Sequence, residues 1–244
     1  MSTKSEISYR EHCFKCMRPQ KACFCAEIKP FATEAEFCLL MHPMEAKLSH
    51  IGTGRLAKVA LKNSRIIVGE SFDDNLEVQK LIHSEEYFPV LLYPGKTAIN
   101  ISKDVLPMDY FQQKKPLFFI LDGTWPCAKK MMKLSRTLHT LPRVSFETET
   151  VSQYHIRQQP AKFCLSTIES IYQVLSILEK QGREKVTPQK ETLLFCLSKM
   201  VEFQIKCASD PNLQSYRGKI KPYSKVEDRK ISKKWTKHKI CYEG

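Results

Sequence analysis

The sequence predicts an α/β fold, layered about a mostly parallel sheet, on three observations. Short runs of Val, Ile, Leu and Phe recur at 37–41, 65–69, 89–93, 117–122 and 143–147. Such runs, bounded by polar turns, are the pattern of strands buried on both faces. Between them lie segments whose apolar residues follow helical spacing, and this alternation packs helices onto a parallel sheet. The composition, 42% hydrophobic and 27% charged over 244 residues, is that of a globular chain.

The elements follow in order. The first strand leads to a small-residue turn and a helix over 54–62 that carries Leu56, Val59 and Ala60. After the second strand, Leu76, Val78, Leu81 and Ile82 mark a helix over 76–83. After the fourth, Ala128, Met131, Met132 and Leu138 mark one over 125–138. Ser166-Thr167-Ile168-Glu169 reads as a capping box, with Ile168, Ile171, Tyr172, Leu175 and Leu178 as the stripe behind it. A last helix begins near Thr187-Pro188, with the proline in its first turn and Leu193, Leu194, Leu197, Met200 and Val201 as its stripe.

Two segments lie outside this core, which spans 35–210. In 1–34, Cys13-x2-Cys16-x6-Cys23-x-Cys25 offers four soft ligands in thirteen residues. Zinc takes four such thiolates at tetrahedral positions, and with no open position it would be structural. Lys15 and Arg18 would help deprotonate the thiols. A disulfide pair and an iron–sulfur cluster are the other readings of the same spacing. The six remaining cysteines are scattered, several within apolar stretches, as buried small hydrophobes are. In 211–244 the chain is strongly basic. Of the formal net charge of +13, eight units lie in 217–239. Lys219, Lys221, Lys225, Arg229, Lys230, Lys233, Lys234 and Lys237 stand there, with Trp235 among them. Cations displace counterions from a phosphate backbone and aromatic rings stack on unpaired bases, so this segment reads as nucleic-acid binding. A solvated tail and an acidic protein partner are the other readings. The N-terminus carries no apolar stretch and no run approaches the ~20 residues of a membrane span, so the expectation is a cytoplasmic chain without a membrane partner.

In parallel sheets ligands bind at the carboxyl ends of strands, so chemistry is sought in the loops there. After the first strand comes His42-Pro43-Met44-Glu45, then Gly52-Thr53-Gly54-Arg55 at a helix start, where amides can hold an anion. After the third comes Tyr93-Pro94-Gly95-Lys96, and after the fourth Asp122-Gly123-Thr124-Trp125-Pro126. An aspartate ending so apolar a strand is costly without a cation or donors around it. The other reading is a helix cap, since Asp is favoured there and Pro126 suits a first turn. Tyr154-His155-Ile156-Arg157 then leads toward the Ser166 box.

Asp122-Gly123-Thr124-Trp125 resembles the D-x-T-W signature of the DTW-domain family. The ordered set around it carries the resemblance: the four-cysteine hook, His42-Pro43-x-Glu45, Thr53-Gly54-Arg55-Leu56, Leu92-Tyr93-Pro94-Gly95, Tyr154-x-x-Arg157-x-x-Pro160 and Leu165-Ser166-Thr167-Ile168-Glu169. The resemblance implies a tRNA-uridine aminocarboxypropyltransferase with a SPOUT-like, knot-capable α/β fold. S-adenosylmethionine would donate its 3-amino-3-carboxypropyl group to N3 of a uridine in tRNA, releasing 5′-methylthioadenosine. It implies cofactor-binding roles for His42, Thr53, Gly54, Tyr93, Pro94, Gly95, Tyr154, Arg157, Ser166, Thr167 and Glu169, and catalytic and cofactor-binding roles for Asp122, Thr124 and Trp125. Asp122 would pair with the cofactor ammonium or take the N3 proton. Trp125 would pack on a ring of substrate or in the core. A methyltransferase with the same donor, transfer to ribosomal RNA, and a non-enzymatic zinc-bearing RNA-binding protein are the competing readings.

Overall fold

The computed structural model describes residues 11–47, 52–106, 110–156 and 164–210. Six strands form one sheet: β1 (Glu36–Met41), β2 (Ser64–Val68), β3 (Tyr87–Leu92), β4 (Ile99–Asn100), β5 (Lys115–Asp122) and β6 (Arg143–Ser145). Their order is β2-β1-β5-β3-β6-β4, and every neighbouring pair is parallel. The expected α/β architecture is therefore present.

Both faces of the sheet are covered, which explains the unbroken apolar runs. Phe37, Leu39, Val90, Phe118 and Ile120 face one core, with side chains of α2 (Thr53–Ala60), α5 (Thr167–Lys180) and α6 (Glu191–Ser209). Cys38, Leu40, Leu91, Leu117 and Phe119 face the other, with those of α3 (Leu76–Ile82) and α4 (Trp125–Leu134). Each such side chain contributes about 1.5–3 kcal/mol by leaving water. Burial pushes the Cys38 thiol up to about 12, so it stays an inert part of that core.

Two helix ends and one strand depart from the sequence pattern. The helix expected over 125–138 ends at Leu134 and resumes as a 3-10 turn, Arg136–Thr140. The buried Ser135 hydroxyl accepts the Phe72 N–H at 3.1 Å, and Asp73 accepts the N–H groups of Arg136 and Thr137 at 2.9 and 2.8 Å. The last helix begins at Glu191 rather than near Thr187. There the Glu179 carboxylate takes the Val186 and Thr187 N–H groups at 3.0 and 2.8 Å, holding that stretch as a turn. Strand β4, two residues long, carries no sequence pattern of its own.

The reversal point of the sheet lies between β1 and β5. From β1 the chain steps outward to β2, and from β5 it crosses in the other direction to β6. A crevice forms outside the carboxyl ends of the two strands at such a point. Met41 pairs with Asp122 there, and the His42 N–H donates to the Asp122 carbonyl at 2.9 Å.

Candidate active site

The Asp122 side chain lies at the centre of the crevice. It is 5% exposed, and its Oδ1 accepts the Thr167 hydroxyl at 2.6 Å. Thr167 is the first residue of α5, so the carboxylate lies at that helix start. It also presses on the start of α2: a β-carbon at Gly54 would fall 2.8 Å from Asp122 Cγ. Only a glycine admits the carboxylate so close. The start of α2, read from sequence as an anion site, thus has the chain's own aspartate beside it.

Around this point the expected residues divide into three groups. His42, 3% exposed, is held at Nδ1, which accepts the Met44 N–H at 3.2 Å, while Nε2 lies 3.2 Å from Glu70 Oε1 without making a hydrogen bond. Glu70 continues to Lys130 Nζ at 2.5 Å, and that ammonium holds its carboxyl below the usual range. Glu70 and Lys130 were absent from the sequence reading. The signal was the position of Glu70 just past the second strand, a strand-end loop like the others. Tyr93, Pro94 and Gly95 follow β3, the neighbour of β5, and are half-buried; burial pushes the Tyr93 hydroxyl up.

The second group begins the helices. Thr124 is the exposed N-cap of α4 and its side chain accepts the Cys127 N–H at 3.4 Å. Trp125 follows it, half-buried and in neither core. Ser166 and Glu169 form the expected capping box: the Ser166 N–H donates to Glu169 Oε2 at 2.8 Å. The buried Glu169 also accepts the Ser152 hydroxyl at 2.8 Å and the Gln153 N–H at 2.7 Å. It therefore ties the loop carrying the buried Tyr154 to the start of α5. Thr53, like Gly54, is buried in the first turn of α2.

The third group falls outside the described residues: Arg157, and the basic segment with Lys219, Lys221, Lys225, Arg229, Lys230, Lys233, Lys234, Trp235 and Lys237.

The four N-terminal cysteines converge. Their sulfurs all lie within 4.8 Å of one another, with Cys13–Cys25 and Cys16–Cys23 both at 3.9 Å. A disulfide needs about 2.05 Å, and the thiols are free. Metal–sulfur bonds of about 2.3 Å set the edges of a sulfur tetrahedron near ~3.8 Å, so the donor set fits a tetrahedral metal. The Cys16 N–H at its sulfur holds the Cys13 thiol down at about 6, while burial pushes Cys16 and Cys25 up.

Residues 10–205 match the DTW domain family. The chain belongs to that family. Among DTW-related proteins it is 31% identical over 202 residues to tRNA-uridine aminocarboxypropyltransferase 2 of Mus musculus, covering 81% of this chain and 64% of the mouse protein. It is 30% identical over 203 residues to the Drosophila melanogaster protein of the same name, covering 80% of this chain and 76% of that one. Against tRNA-uridine aminocarboxypropyltransferase A of Arabidopsis thaliana it is 27% identical over 222 residues, 81% and 82% of the two chains. This DTW chain thus spans less than two thirds of the mouse relative's length. No solved structure matches it.

Proposed function

We propose that this DTW chain transfers the 3-amino-3-carboxypropyl group of S-adenosylmethionine to N3 of a uridine in tRNA. The observation that carries the reading is the convergence of the Asp122-Gly123-Thr124-Trp125 turn with the starts of α2 and α5 at the sheet's reversal point. The names of the similar proteins supply the reaction. A SPOUT-like reading of the fold fits the parallel sheet and its strand-end site.

In the reaction the uridine N3 attacks the γ-carbon of the aminocarboxypropyl group. The carbon–sulfur bond breaks, its electron pair stays on sulfur, and neutral 5′-methylthioadenosine leaves while the N3 proton goes to a base or to water. The sulfonium activates three carbons, so the outcome depends on which one faces the nucleophile. Selection is then a matter of anchoring the amino-acid end. Asp122, whose Oδ1 accepts the Thr167 hydroxyl, would pair with the donor's ammonium. Trp125, half-exposed beside it, offers a ring face to the adenine or the target base. His42 would be a positioning group, its Nδ1 accepting the Met44 N–H and its Nε2 near Glu70. The four thiolates would hold zinc, which supplies a structural cross-link.

The test is incubation with S-adenosylmethionine and unmodified tRNA, followed by mass spectrometry. The expected products are a uridine heavier by the aminocarboxypropyl group and 5′-methylthioadenosine. A methylated nucleoside with S-adenosylhomocysteine would overturn the reading in favour of methyl transfer. Product on ribosomal RNA alone would overturn the acceptor.

A further inference from the structure

We infer that Phe14, at the tip of the cysteine turn, is a stacking platform for an unpaired base of the RNA substrate; this rests on the proposed tRNA reaction and adds a binding site remote from the crevice. Phe14 is 97% exposed, more than any other large hydrophobic side chain among the described residues. A phenylalanine gains about 1.5–3 kcal/mol by burial, and here it takes none. The exposure is not that of a loose end. The Met17 N–H donates to the Cys13 carbonyl at 2.7 Å, and the Cys13 N–H donates to the Arg18 carbonyl at 2.8 Å. Met17 adopts the left-handed φ of 59° that closes such a turn. Beneath it Arg18 is 1% exposed, with its guanidinium 5.1 Å from the Phe24 ring centroid. The root of the turn is therefore buried and cross-braced, and the tip projects a ring into solvent.

Its surroundings identify the occupant. Lys15, next in sequence, is exposed. A cation beside a bare ring matches the phosphate and the π-face of a nucleotide, the combination that binds single-stranded loops with little sequence demand.

The experiment uses the full, metal-loaded chain and measures direct tRNA binding apart from turnover. Phe14→Ala is expected to weaken tRNA binding about 5- to 150-fold, the loss of one base stack. The loss should appear in KM for tRNA with kcat kept, with metal content and S-adenosylmethionine affinity unchanged. The salt slope should be unchanged, since no cation is removed. Phe14→Trp should restore binding, and its added fluorescence should be quenched by tRNA. Wild-type affinity in Phe14→Ala would overturn the proposal. So would a change of oligomeric state with RNA binding intact, which would make the ring a protein contact. If the wild type binds tRNA but transfers nothing, the proposed reaction fails and the stacking site stands or falls on the binding data. If it binds no RNA, both fail.

Discussion

Gly54 and Asp122 compete for one volume, and the crevice exists because glycine yields it. Gly54→Ala places a β-carbon 2.8 Å from Asp122 Cγ, against a carboxylate that Thr167 holds at Oδ1. Overpacking of this kind costs about 1–3 kcal/mol, and it displaces the group proposed to hold the donor. The expected outcome is a lowered denaturation midpoint together with at least tenfold weaker S-adenosylmethionine binding by calorimetry. Asp122→Asn keeps an acceptor for Thr167 but drops the charge. Weaker donor binding with lost turnover is expected; full binding with lost turnover would instead make Asp122 the proton acceptor. Thr167→Val should cost about 1.5–3 kcal/mol, as a hydrogen bond to a charged group does. That Asp122 matters was legible from its place after five apolar residues, where a lone carboxylate needs a partner. Its partners were not, because Thr167 lies 45 residues away and sequence spacing says nothing about a contact made only after the sheet closes. The Ser166–Glu169 box, three residues apart, was legible because both ends are local.

At the scale of elements, α5 and α6 are joined through Glu179. The Lys190 ammonium at 2.5 Å and the Thr187 hydroxyl hold the Glu179 carboxyl down at about 2. A carboxyl held below its unfolded value stabilises the fold above the ordinary carboxylate range, and that contribution fades as pH falls toward 2. Wild type should therefore lose stability over that acid window more steeply than Glu179→Gln. Urea titrations at a series of pH values check this, and parallel curves for the two would refute it. The same carboxylate explains why Thr187-Pro188 misled: a threonine–proline pair is a good helix start locally, but Glu179 claims its amides. The break at Ser135 has the same origin, with Phe72 and Asp73 far away in sequence on the same side of the sheet. Strands β1, β3 and β5 were legible because both faces are buried and their patterns have no polar interruption.

For the whole molecule, the segment that closes and follows the cysteine turn packs into the main core. Phe24, Ile28 and Phe31 belong to the same core as Leu193, Leu197 and Met200 of α6, and Glu27 pairs with Lys199 at 2.9 Å. Metal analysis of protein purified without chelator should find one zinc per chain. Cys16→Ser should abolish it and lower the thermal midpoint of the whole chain, not of a separate transition. Iron with sulfide, or no metal, would reject the zinc assignment.

The seating of residues 24–31 against α6 has a consequence for biosynthesis. A ribosome delivers the cysteine turn long before the α6 surface on which residues 24–31 pack, and every pairing in the sheet is a parallel one that needs a crossover. Four thiols within thirteen residues can capture a metal as soon as they leave the exit tunnel. The nascent chain would then carry a loaded cross-link with exposed aromatic groups until α6 has been made. Chaperone demand should be greatest in that interval, and a stall before α6 should produce the most aggregation-prone species the gene can make.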